Sequence, residues 1–186
     1  MHLGIYFAVW SAYFVLHSLL ASNGIKNKLG RPSWYRAFYT VFSLASLVPV
    51  FAYKLSLEAE ELFATGVATK IPSLGLGLAA YFILRETAKV YDLRAFLGFK
   101  KAESGVLITD GILARMRHPL YTATVCLSLG FFLWSPTDLN LIMIVSWYAY
   151  LPVGIWFEER KLIEEFGDRY AAYKKDVPAL FPKLKR

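Results

Sequence analysis

The chain has 186 residues, is 56% hydrophobic and 17% aromatic, and carries a formal charge of +7, with a mean hydropathy of +0.41. Ordinary globular usage is well below this, and several long charge-free runs cannot all be buried in a soluble core of this size. The composition therefore excludes a soluble domain, and the positive charge is accounted for by lipid headgroups and membrane topology, with no nucleic acid needed.

From Met1 to Ile25 there is no Asp, Glu, Lys or Arg, which predicts a first span over about 3–21. Only Met1 and His2 precede the apolar run, so the basic n-region of a cleavable signal is missing and the segment reads as a retained helix. His17 lies deep in this span beside Ser18. It reads either as a helix-to-helix hydrogen-bonding residue or as a group facing an acceptor cavity. A second charge-free run, Ala37–Tyr53, predicts a span over 36–53. The third, over 72–92, is interrupted by Arg85, Glu86, Lys89 and Asp92. Arg85 and Glu86 either line a cavity within the membrane or mark a helix that emerges early, with Arg85 snorkelling and Glu86 paired to Lys89 at i+3. "GLGLAA" at Gly75–Ala80 fits the G-x-G-x-x-A dinucleotide pattern. It has no preceding strand and lies in an apolar segment, so small residues permitting close helix approach are the better reading. Pro119–Thr137 and Leu139–Phe157 are charge-free and predict spans over 119–135 and 139–157, joined by "SPTD" as a tight hairpin. Each run is long enough, at about 1.5 Å per residue, to cross or nearly cross a hydrocarbon core of roughly 30 Å. Cys126 is the one cysteine and forms no internal disulfide; it reads as a small packing residue.

The loops sort by charge. Residues 22–36 hold Lys26, Lys28, Arg31 and Arg36 without an acid, whereas 54–71 set Lys54 and Lys70 against Glu58, Glu60 and Glu61. Residues 93–118 and the C-terminal tail are basic again, and "SPTD" has no base. This alternation predicts an all-α integral membrane protein of about five transmembrane helices plus a C-terminal amphipathic helix, its N-terminus outside and its C-terminus cytoplasmic. The whole chain is expected to form a single membrane domain, with a two-helix part over 1–71 and a core over 72–186.

The hairpin brings "RHPLY" at Arg117–Tyr121, which opens the fourth span, near "FEERKL" at Phe157–Leu162, which closes the fifth. Pro119 suits the first turn of a helix, His118 falls near its N-cap, and the amides of Leu120 and Tyr121 stand at the positive end of the helix dipole. Glu158 and Glu159 supply facing carboxylates for hydroxyl or amine donors. The rival reading is an ordinary set of interfacial residues. Adjacent glutamates suit a helix C-terminus poorly, and "EERKLIEEFGDRYAAYKK" continues the helical pattern, with Leu162, Phe166, Tyr170 and Tyr173 forming a stripe. No metal-ligand cluster is expected.

"GILARMRHPLY" followed by "EERKLIEEFGDRYAAYKKDVPALFP" resembles the isoprenylcysteine carboxyl methyltransferase and phospholipid methyltransferase superfamily. Gly111, Arg117, His118, Pro119 and Tyr121 match the first half of its compound motif, with Leu113 replacing the usual tyrosine. Glu158, Glu159, Leu162, Phe166, Gly167, Tyr170 and Tyr173 match the second half. "LHSLLAS" and "WYRAFY" resemble the branch with NnrU-type proteins and methanethiol S-methyltransferases. The resemblance implies S-adenosylmethionine as cofactor, held by His118, Pro119, Tyr121, Glu158 and Glu159, to which the helix N-terminus adds Leu120. Arg117 and Glu158 are the catalytic candidates, and Glu86 and His17, by their place in the apolar segments, are candidates for the acceptor cavity. It implies a small apolar or membrane-partitioned acceptor, a thiol first, an isoprenylated cysteine carboxylate second and a lipid amine third. A non-enzymatic NnrU-type accessory protein is the alternative from another class.

Overall fold

A computed structural model of the protein describes residues 2–30, 32, 34–91 and 105–182; Arg31 and Asp92, used in the charge reading, and the part of the basic loop over 93–104 lie outside them. The described residues are helical, with one isolated antiparallel bridge between Glu61 and Thr137. The helices are α1 (His2–Ala21), α2 (Asn23–Lys28), α3 (Tyr35–Ala45), α4 (Leu47–Leu55), α5 (Val67–Val90), α6 (Pro119–Trp134), α7 (Asp138–Phe166) and α8 (Asp168–Asp176). A short 3-10 turn covers Gly111–Ala114. Four segments, α1, α3 with α4, α5 and α7, are long and apolar enough to cross a membrane. The fifth, α6, has 16 residues, or about 24 Å of helix, and is shorter than a full crossing.

Boundaries move for local reasons. The second span is divided at Ser46, where Pro49 has no N–H to offer the carbonyl four residues back. Helix α5 starts at Val67 and passes through Pro72. Helix α7 runs past Glu158 and Glu159 without a break, and Gly167, at φ 57°, then separates it from α8. The amphipathic stripe is thus carried on two helices.

By contact the chain forms two compact units. The first holds α1 to α4, the segment to Ala64, and α7 as far as Tyr150. Its centre is aromatic: Tyr6, Trp10 and Phe14 are buried, Trp10 meets Phe51 and Trp147 edge-on, and Phe14 stacks on Tyr150 at 4.5 Å. The link before α7 is tied to the segment after α4. Leu62 N donates to Pro136 O at 2.8 Å, Asp138 N to Glu60 O at 3.0 Å, and Glu60 N to the buried Asp138 carboxylate at 3.0 Å.

The second unit holds α5, the 3-10 turn, α6, α7 from Leu151, α8 and the tail. Helix α6 packs along α5. A Cβ on Gly130 of α6 would stand 3.1 Å from Ser73 O and 3.8 Å from Gly77 N, and Ser73 Oγ donates to Gly130 O at 2.7 Å. Helices α5 and α6 thus cross closely, but a Cβ on Gly75 or Gly77 would meet nothing within 4 Å, so the position that requires glycine is Gly130 and not the glycines of "GLGLAA". Ile112, Leu113 and Met116 form an apolar cluster with Ile83, Val90 and Tyr91. Gly111 permits that cluster to close, since it has φ 59° and an added Cβ would lie 2.9 Å from Val90 Cγ2.

Candidate functional site

Within the second unit, the start of α6 and the charged part of α7 meet, although some forty residues separate them. Arg117 is at the centre. Its Nε and Nη2 donate to Glu159 Oε1 at 2.8 and 2.5 Å, and its Nη1 donates to Lys174 O at 3.0 Å and to Val177 O. Lys174 Nζ lies 2.6 Å from the other carboxylate oxygen of Glu159, and His118 Nε2 lies 3.2 Å from Oε1. The side chains of Arg117, His118 and Glu159 are 8%, 2% and 6% exposed. So dry a carboxylate is tolerable only because both oxygens are engaged by cations and hydrogen bonds.

Glu158, one residue earlier, has a different environment. Its side chain is 49% exposed, and His118 Nδ1 lies 3.7 Å from its Oε2, beyond hydrogen-bond reach. The His118 ring is therefore flanked by both glutamates, held at one nitrogen by Glu159 and approached at the other by Glu158. Pro119 opens α6 as expected, and the first bond of its ladder is Thr122 N to His118 O at 3.1 Å. Leu120 and Tyr121 thus occupy the first turn, ahead of that ladder. Tyr121 and His118 are ring neighbours at 5.6 Å.

Three further tyrosines border the cluster. The Tyr173 hydroxyl donates to Leu113 O at 2.6 Å, so the residue that departs from the superfamily motif still contributes its backbone. Burial, and then the neighbouring Tyr91, push the Tyr173 phenol up to about 12. Tyr170 is 1% exposed, and its hydroxyl has no hydrogen-bond partner among the described residues. Burial and then the charge of Glu159 raise its pKa above the ordinary phenol value. Tyr91, at the end of α5, is raised by burial and by the charge of Glu158.

Lys174, Thr122 and the segment Val177–Leu180 were not among the sequence candidates. Lys174 had no signal beyond its basic neighbours. "DVPALFP" did belong to the stretch that carries the resemblance.

The remaining candidates, Glu86 and His17, make local contacts of their own. Glu86 is in α5 with its side chain 44% exposed, 2.5 Å from Lys89 Nζ and 3.8 Å from Arg85 Nη1. That is the i+3 pairing of a helix surface. His17 belongs to the first unit, where the Tyr39 hydroxyl of α3 stands 2.7 Å from its Nε2. It therefore makes a helix-to-helix hydrogen bond.

The fold and this cluster define a class: a multi-pass helical membrane protein with a buried Arg–His–Glu centre at the end of its spans. The chain belongs to the NnrU protein family, whose model matches residues 5–181. It is similar to a protein of Arabidopsis thaliana named protein-S-isoprenylcysteine O-methyltransferase B, 30% identical over 76% of this chain and 73% of the relative. A protein of Bradyrhizobium diazoefficiens named methanethiol S-methyltransferase 2 is 29% identical over 94% of this chain and 71% of the relative. A protein-S-isoprenylcysteine O-methyltransferase of Schizosaccharomyces pombe is 32% identical over 54% of this chain, and that match spans only 44% of the yeast protein. No solved structure matches the chain significantly.

Proposed function

We propose that the protein is a membrane methyltransferase that uses S-adenosylmethionine, binds it at the His118–Glu158 cluster, and methylates a small apolar acceptor, a thiol first. The observation that carries this reading is the meeting of Arg117 and His118 with buried Glu159, and with half-exposed Glu158 at its edge. Those residues are the two halves of the compound motif. Relatives matched over 94% of the chain are named for thiol methylation, which favours a thiol over an isoprenylated cysteine carboxylate or a lipid amine.

The residues fit such a cofactor. Glu158 offers a half-exposed carboxylate beside a buried imidazole, suited to an amine or to ribose hydroxyls. The orphaned Tyr170 hydroxyl is a buried group in want of a partner. When bound, S-adenosylmethionine supplies a sulfonium methyl: the acceptor's lone pair forms the new bond to that carbon as the carbon–sulfur bond breaks, leaving S-adenosylhomocysteine. The protein's part is positioning, which can supply much of the acceleration of a displacement. A thiol needs little help in losing its proton, and a carboxylate needs none. Pro119, Leu120 and Tyr121 form the apolar wall of the first turn. Glu159, bound at both oxygens, holds His118 and Arg117 in place, and Arg117 acts as a positioning residue. The alternation of basic and non-basic loops supports a cytoplasmic site and C-terminus with the N-terminus outside.

The test is calorimetric titration of the detergent-solubilised protein with S-adenosylhomocysteine. Saturable binding supports the enzyme. No binding supports the non-enzymatic accessory reading.

A further inference from the structure

The tail after α8 makes an unusual set of contacts. Over Lys174–Leu180, four donor atoms from Arg117–Thr122 make five hydrogen bonds to five backbone carbonyls. Arg117 Nη1 takes Lys174 O and Val177 O, Arg117 N donates to Pro178 O at 2.9 Å, and His118 N donates to Ala179 O at 2.9 Å. Thr122 Oγ1, one turn further along α6, donates to Leu180 O at 2.7 Å, with His118 O a longer alternative acceptor at 3.3 Å. Thr122 is 4% exposed. The strap therefore runs beside the corner where His118 turns into α6, and it is fastened on both sides of that residue. The Lys174 ammonium, at the strap's start, also grips Glu159.

Two physical points make this more than a docked tail. The amides of Arg117 and His118 precede the helical ladder and have no intrahelical acceptor, so something else must satisfy them. A strap that bonds both amides fixes the backbone of His118, and with it the side of the ring presented to Glu158. The hydroxyl of Thr122 extends that hold along α6, where a valine would fill the same volume without bonding.

We infer that Val177–Leu180 is a positioning strap for the cofactor site, and that Thr122 is the residue that fastens it. The inference rests on the function proposed above, in that the site it positions is the methyl-donor site. Releasing the strap loosens His118 while leaving the membrane helices intact.

The experiment uses the full-length protein with labelled histidine imidazoles and compares Thr122→Val, Thr122→Ser and Thr124→Val. Among the described residues the Thr124 hydroxyl donates to Leu120 O in its own helix, away from the strap, and Thr124 serves as the control. In Thr122→Val the His118 ring resonances shift or broaden, the Arg117 and His118 amides exchange faster, and S-adenosylhomocysteine binds about three- to ten-fold more weakly. Thr122→Ser restores all three, and Thr124→Val changes none. Parent-like His118 resonances and amide exchange in Thr122→Val overturn the strap. Altered resonances with unchanged affinity overturn its link to the cofactor. If the parent itself binds no S-adenosylhomocysteine, the proposed function falls and so does the link, while the strap's hold on His118 is still judged from the resonances and exchange.

Discussion

Glu158 and Glu159 are neighbours in the chain and differ most in what surrounds them. Glu159 is buried against Arg117, Lys174 and His118, whereas half of Glu158 faces outward. Breaking a buried pair leaves the remaining charges uncompensated, so Glu159→Gln is expected to cost about 3 kcal/mol and lower the thermal midpoint clearly. That figure is the low end of the range, because Lys174 is 45% exposed and can turn to solvent. Glu158→Gln should leave the midpoint near that of the parent. Thermal unfolding in detergent reads both, and equal midpoints for the two variants would deny Glu159 its anchoring role. Pairing of the two motif halves was legible in the sequence, because the types and spacing of Arg117, His118, Glu158 and Glu159 are distinctive. The division of labour between the glutamates was not. It depends on which face of α7 each occupies relative to a lysine in α8, and no local pattern encodes that.

Elements followed the charge-free runs closely, since a helix that satisfies its own backbone is the natural way for an apolar segment to cross a bilayer. What the runs did not show were the interruptions. Ser46 breaks the second span, and Gly167 divides the amphipathic stripe, each through local backbone chemistry that a hydropathy pattern averages away. The packing of α6 on α5 was visible only as a cluster of small residues, without the partner. The crossing makes a sharp prediction. Gly130→Val places a side chain against the Ser73 backbone carbonyl and should cost about 1–3 kcal/mol. Gly75→Ala, which meets nothing within 4 Å, should leave the thermal midpoint at or above the parent value. A Gly130→Val protein as stable as the parent would show that α5 and α6 do not cross there.

At the level of the whole molecule, membrane character was legible from composition alone, and alternation of basic loops carries the proposed orientation. Single-cysteine labelling in a Cys126→Ser background tests it: positions 26 and 60 should react from opposite sides of the membrane, and labelling from one side would overturn the five-span topology. Asp138, a candidate marker by its place in the loop, is buried against the Glu60 amide and is a poor labelling site. The sequence could not reveal this, because the contact joins residues 78 apart. The central claim is that the buried Arg–His–Glu centre is a methyl-donor site. S-adenosylhomocysteine titration of the parent, Glu158→Gln and Glu164→Gln decides it most directly. Glu164, on the exposed surface of the helix with its carboxylate 3.3 Å from Arg160 Nε, serves as the comparison. The account predicts saturable binding to the parent, about ten- to hundred-fold weaker binding to Glu158→Gln, and parent-like binding to Glu164→Gln. Absence of binding to the parent, or equal affinity in all three proteins, would contradict it.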